Sequence, residues 1–234
     1  MSTHLTRKEL KHDNVALKVE ETVDFLKVNR QQMVRYGGAA LAVVVIVAGV
    51  FYYRSAQRDV RQQMLADALT LQSAPVGTAP PTGGPSFPSD AAKNDAVRRA
   101  FTKVIDEHGG STEAYTAELS LATIDADAGK MSDARKRYQD IADHAPAGFA
   151  SMAKLAIAQL DFSDNKTAEA QSILKDLQDH PTEMVSKNQA TYTLAKGLAP
   201  TQPEEARKLL LTLVSAPSDV SQLAVTALGE LPSK

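Results

Sequence analysis

The chain has 234 residues and a formal charge of −2, with no Cys and no Trp. That length holds one domain of ordinary size with attachments, and the charge balance excludes the concentrated basic stripe of a nucleic-acid surface. The lack of Cys excludes disulfides, thiolate catalysis and most structural zinc sites. Ala, Leu, Glu, Lys and Gln dominate the rest. These side chains lose little freedom in a helix, so an all-α chain is expected.

The first 35 residues contain "VALKVEETVDFLKVNRQQMV", in which Val19, Val23, Leu26 and Met33 recur at helical spacing. This reads as an amphipathic helix, either leading into a membrane or docking a partner. Next comes "YGGAALAVVVIVAGVFYY", residues 36–53, without a charge and held between Arg35 and Arg54. As a helix these residues span roughly 27 Å, close to the ~30 Å hydrocarbon core of a bilayer. A strand of that length would be far longer than the usual one, and a cleaved signal would end in small residues rather than in "FYYR". Tyr36, Phe51, Tyr52 and Tyr53 suit the two membrane interfaces. Residues 36–53 are therefore expected to cross the bilayer as one transmembrane helix.

Arg7, Lys8, Lys11, Lys18, Lys27, Arg30 and Arg35 precede the run, whereas only Arg54, Arg58 and Arg61 follow it before Lys93. By the positive-inside bias the tail stays in the cytoplasm and the long C-terminal part is translocated. Residues 54–73 carry no helix breaker and extend the helix outward. Residues 74–89, "APVGTAPPTGGPSFPS", hold five Pro and three Gly and read as a linker. A compact domain is expected from Asp90 to residue 234.

That domain rhymes with itself. Ala134, Ala170 and Ala206 are spaced by one 36-residue step, as are His108, His144 and His180. Such a period, with two helices per unit, indicates a helical solenoid. Helix pairs are expected at 112–128 with 131–144, 148–163 with 166–179, and 182–198 with 202–215. A half-unit at 91–108 precedes them and residues 219–230 form a cap. Ser111 and Thr201 stand where helix N-caps belong. The pattern resembles tetratricopeptide repeats: Gly129 closes a first helix, Ala134 allows close approach, Tyr138 follows, and Pro146 ends the unit. Asn165 and Thr201 replace Gly129 in later units, and Leu174 and Leu210 replace Tyr138, so the array is divergent.

The three histidines sit about one helix width apart in such a stack, too far to share a metal. Their place at helix C-termini suits the helix dipole instead. "DADAGKMSD" begins like a calcium loop at Asp125 and Asp127, but its sixth and twelfth positions hold Lys130 and Lys136. Phosphate loops, nucleophile elbows and His-Glu-x-x-His are absent from the sequence. No enzyme, cofactor, metal or small-molecule substrate is expected. By the repeat register, the concave side presents Thr116, Leu119 and Thr123, then Met152, Leu155 and Gln159, then Asn188 and Thr191. This uncharged floor is expected to bind an apolar or extended protein segment, centred on Met152 and Leu155, unless those side chains only pack between helices.

The order of tail, span, outward helix, linker and repeat domain, with "VEETVDFLKVNRQQMVRYGG" running into the span, is similar to the ancillary subunit of the bacterial Sec translocon. The resemblance implies a single-pass inner-membrane protein with a cytoplasmic N-terminus and periplasmic repeats. Its implied partners are the translocon, periplasmic chaperones and client chains. A cell-envelope assembly scaffold and a mitochondrial-type receptor with cytosolic repeats share the same architecture.

Overall fold

The computed structural model describes residues 30–77, 83–215 and 219–232. The amphipathic segment expected in the tail lies outside them up to residue 29. Among the described residues the chain forms nine α-helices and no strand. It divides into two units, residues 1–59 and 60–234.

Helix α1 (Arg30–Ser73) carries continuous helical backbone through the apolar run and beyond it. In the first unit Leu41, Val43, Val44, Val45, Ile46, Val47 and Val50 are all exposed. Among the described residues this apolar stretch is not buried. It is the one helix among the described residues long and apolar enough to cross a membrane.

The second unit is a stack of helical hairpins. It begins with residues 60–73 of α1 and continues with α2 (Asp90–His108), α3 (Thr112–Asp127), α4 (Met131–His144), α5 (Ala147–Ser163), α6 (Thr167–Asp179), α7 (Lys187–Leu198), α8 (Pro203–Ser215) and α9 (Ser221–Glu230). From α2 to α9 each helix packs on the next, and the first helices α3, α5 and α7 also touch in succession. That is a tetratricopeptide repeat-like solenoid, with pairs α3–α4, α5–α6 and α7–α8 closed by α9. Ala134, Ala170 and Ala206, at the 36-residue step, are each fully buried where paired helices meet.

The compact unit runs from Val60, so it includes residues 60–89 ahead of Asp90. Ala68 lies in one cluster with Val97, Phe101, Val104, Ala117 and Leu121, and Met64, Leu65 and Leu71 pack against it. These four positions of α1 form a helical stripe that needs covering, and α2 and α3 cover it. The Pro/Gly-rich insertion thus lies inside the first hairpin. Its two ends are drawn together by Gly77 N–H donating to Phe87 O (2.8 Å) and Phe87 N–H to Pro75 O (3.2 Å).

Capping sets the remaining boundaries. Ser111 Oγ accepts from Ala114 N–H (3.1 Å) and starts α3. Gly129 and Asn165 both take the left-handed conformation, at φ 75° and 61°. Asn tolerates that region, so the turn survives the replacement. In both turns a Lys N–H closes back on an Asp carbonyl, Lys130 on Asp125 (2.8 Å) and Lys166 on Asp161 (2.7 Å). Thr201 cannot adopt positive φ cheaply, and there Gln202 N–H donates to Leu198 O (2.7 Å) instead. Helix α7 starts at Lys187 rather than at residue 182. Thr182 and Val185 bond each other across a tight loop after Pro181, Thr182 N–H to Val185 O (2.9 Å) and Val185 N–H to Thr182 Oγ1 (3.1 Å).

Candidate protein-binding face

The eight residues expected to floor a groove separate into different environments. Met152 is 40% exposed, whereas Leu155 is 9% exposed within a cluster with Ala158, Ala170, Leu174, Leu177, Val185 and Ala190. Leu155 therefore joins α5 to α6 and α7. Thr191 is buried and its Oγ1 accepts from Gln178 Nε2 (3.0 Å) on α6. Leu119 is half-buried against the core around Tyr138 and Phe149. Thr123 shares a 3.0 Å hydrogen bond with the Tyr138 hydroxyl on α4, and Thr116 donates to Thr112 O (2.8 Å). Gln159 is exposed and Asn188 is half-buried. A first helix in a solenoid meets three neighbours, so much of its surface is spent on packing.

The ends of the first helices carry an ionic device that the alternating charges of the sequence conceal. Asp125 lies in the last turn of α3 with its side chain 3% exposed. Arg98 Nη1 on α2 reaches its Oδ1 (2.6 Å), and Arg137 Nε on α4 reaches Oδ2 (2.9 Å). One repeat later Asp161 is buried at the end of α5, 2.7 Å from Arg135 Nη1 on α4, whose Nη2 also holds Asp164 (2.9 Å). A carboxylate at the negative end of a helix dipole is unfavourable, and the arginine offsets it. Burial alone would raise the Asp125 pKa, but the hydrogen bonds and charges of Arg98 and Arg137 outweigh it and hold the group below its usual value. Near them Glu118 is shifted up, first by burial and then by Asp140, with Arg137 working against both.

The third junction lacks this device. The step from Asp161 leads to Gly197, and the step from Arg135 leads to Gln171. The ring of Phe162 lies over Gly197 so closely that a Cβ there would collide with it. Beside this contact a cleft of about 380 Å³ opens between α5 and α7, lined by Gln159, Phe162, Tyr192, Thr193, Lys196 and Gly197. Of the eight expected residues only Gln159 belongs to it. Phe162, Tyr192 and Lys196 escaped the sequence reading because they do not repeat. The 36-residue step from them meets Ala126, Ala156 and Leu160.

His108 and His144 end α2 and α4, and His180 follows α6, where His180 Nδ1 lies 3.2 Å from Asp176 O. Among the described residues no group of His, Asp and Glu stands close enough to hold a metal ion. A larger cleft of about 1020 Å³ flanks α4, but its wall mixes Arg98, Lys130, Arg135, Lys136 and Arg137 with Asp125, Asp133, Asp140 and Asp143. Opposite charges there neutralise one another, which leaves little net field for a partner.

No curated protein matches the chain, and no solved structure does. A family does match, over residues 30–179, more than half of the sequence. The matched stretch takes in the apolar run and every helix through α6. With the hairpin stack described above, this assigns the chain to the tetratricopeptide repeat-like domain family.

Proposed function

We propose that this chain is a membrane-anchored protein-interaction scaffold, an accessory factor of the Sec translocon that passes translocated chains to periplasmic chaperones. Tetratricopeptide repeat-like domains are interaction modules that present helix faces to other proteins rather than reaction centres. The observation that carries the reading is the exposed apolar run of α1 ahead of a hairpin stack. A helix apolar on every side is stable in a bilayer and costly in water. The Lys and Arg bias supports a cytoplasmic N-terminus with the repeats in the periplasm of a bacterial inner membrane. The resemblance in element order supports the translocon as the assembly served.

The test has two stages. After alkaline carbonate extraction the intact chain is expected in the membrane pellet, and its recovery in the supernatant would reject the anchor. In spheroplasts, added protease should digest the repeats while an epitope on the first 35 residues stays protected. The reverse protection would reject the periplasmic reading and favour a receptor with cytosolic repeats. Mild crosslinking in membranes should then capture translocon subunits. Capture of wall or outer-membrane assembly factors alone would make the chain a cell-envelope scaffold instead.

A further inference from the structure

The cleft between α5 and α7 differs in kind from the other junctions of the stack. Where Asp125 and Asp161 at the ends of α3 and α5 are held by Arg98 and Arg135, the matching position of α7 is Gly197, and the one charge in the last turn of α7 is Lys196. Instead two aromatic side chains, Phe162 and Tyr192, face a space of about 380 Å³. That is the lower end of ligand-pocket sizes and suits a side chain or two, not a folded surface.

Three polar groups on the wall have unused capacity. The Gln159 side chain and the Tyr192 hydroxyl make no hydrogen bond to the described residues, and Lys196 is exposed without an ion pair among them. Lys196 is the one charged group on the wall, which carries no acid. Aromatic walls anchor large apolar side chains, a free amide suits the backbone of an extended segment, and an uncompensated ammonium selects a carboxylate.

We infer that this cleft binds an extended peptide segment through one large apolar side chain, with an adjacent carboxylate on Lys196. The inference rests on the scaffold reading and specifies the chemistry of the partner at that face. Rigid aromatic rings provide the affinity, and the single cation fixes the direction and register of the segment.

The experiment uses the full chain in nanodiscs and fluorescein-labelled peptides read by anisotropy. The parent peptide is Ser-Gly-Ser-Phe-Asp-Ser-Gly-Ser; one variant has Ala for Phe and another has Lys for Asp. The parent should bind, and each variant peptide should bind about 10-fold more weakly, one step of roughly 1.4 kcal/mol. Lys196→Glu should reverse the preference between the Asp and Lys peptides. Equal binding of the parent and Ala peptides, no reversal by Lys196→Glu, or no binding below about 1 mM would each overturn the inference. If Lys196→Glu lowers the melting temperature, Lys196→Gln must still weaken the parent peptide several-fold, and failure to do so overturns it equally. A homodimer that Lys196→Glu dissolves would place a second copy in the cleft and reject the peptide. Translocon crosslinks that persist in Lys196→Glu, with peptide binding absent, would remove the cleft and leave the scaffold reading standing.

Discussion

The first two junctions of the stack and the third solve one problem in opposite ways. Each must fasten the end of a first helix to the hairpin before it. At α3 and α5 a buried aspartate and arginines from the neighbouring second helices do this, at 2.6–2.9 Å. At α7 a glycine under the Phe162 ring and an apolar cluster around Leu155, Leu174 and Val185 do it, with Gln178–Thr191 as a neutral hydrogen bond. The ionic junctions depend on pairing every charge. The neutral one depends on shape. A repeat protein can therefore keep its step while exchanging the chemistry of a junction, and the surface freed by that exchange is open to a partner.

Substitutions at the two kinds of junction should fail differently. The largest effect is expected from Leu155→Asp, which puts an unpaired charge in the neutral cluster and should cost about 4 kcal/mol. Melting of the full chain in detergent followed by circular dichroism checks this. Unchanged melting with lost partner crosslinks would return Leu155 to the binding surface. Next, Asp125→Ala leaves Arg98 and Arg137 facing each other without their carboxylate. A loss of about 3 kcal/mol is expected, the low end for a broken buried pair because both arginines are partly exposed. A loss below about 0.5 kcal/mol would demote the junction to a surface ion pair.

Gly197→Ala should cost about 2 kcal/mol by forcing Phe162 off its place. Pairing it with Phe162→Ala should restore much of that loss, a coupling that independent sites would not show.

A smaller and more diagnostic effect concerns pH. The folded-state pKa of Asp125 is lowered, so its contribution is complete above the unfolded value of about 4 and is lost as pH falls through the folded value. Glu118 has the opposite sign. Its raised pKa makes its charge unfavourable at pH 7, and acid relieves that. The melting difference between the wild type and Asp125→Ala should therefore be full at pH 7 and shrink below about pH 4. A difference constant from neutral to strongly acidic pH would show that the carboxylate charge is not what holds this junction. Least affected should be Lys103→Ala on α2, which removes an exposed pair with Glu107 and should change stability by no more than about 0.5 kcal/mol.

Much of the stack was legible in the sequence because helical hairpins are local. The 36-residue step located the buried alanines, Ser111 marked a cap, and the expected helix ends lie within a few residues of those observed. The faces of the first helices were less legible. Periodicity says that Leu155 and Met152 lie on related positions, but not which neighbour covers each. The buried carboxylates were hidden because Asp125 and Asp161 sit among exposed charges of both signs, and sequence alternation reads as a solvated surface. In the sequence, residues 60–73 read as lying outside the domain because Pro and Gly separate them from it. Their stripe of Met64, Leu65, Ala68 and Leu71 was the signal that could have brought them in. The aromatic cleft had no repeating signal at all.

The closed neck of the first hairpin has a consequence for how the chain tolerates change. Gly77 and Phe87 already hold the ends of the insertion together, so the entropy of joining them is set at the neck. Each doubling of the length between them adds only about 0.6 kcal/mol. A reporter, an epitope or a whole small domain grafted inside this loop would leave the neighbouring helices in register. The insertion is a natural port, where new sequence can be added to the protein with little disturbance to the repeats it carries.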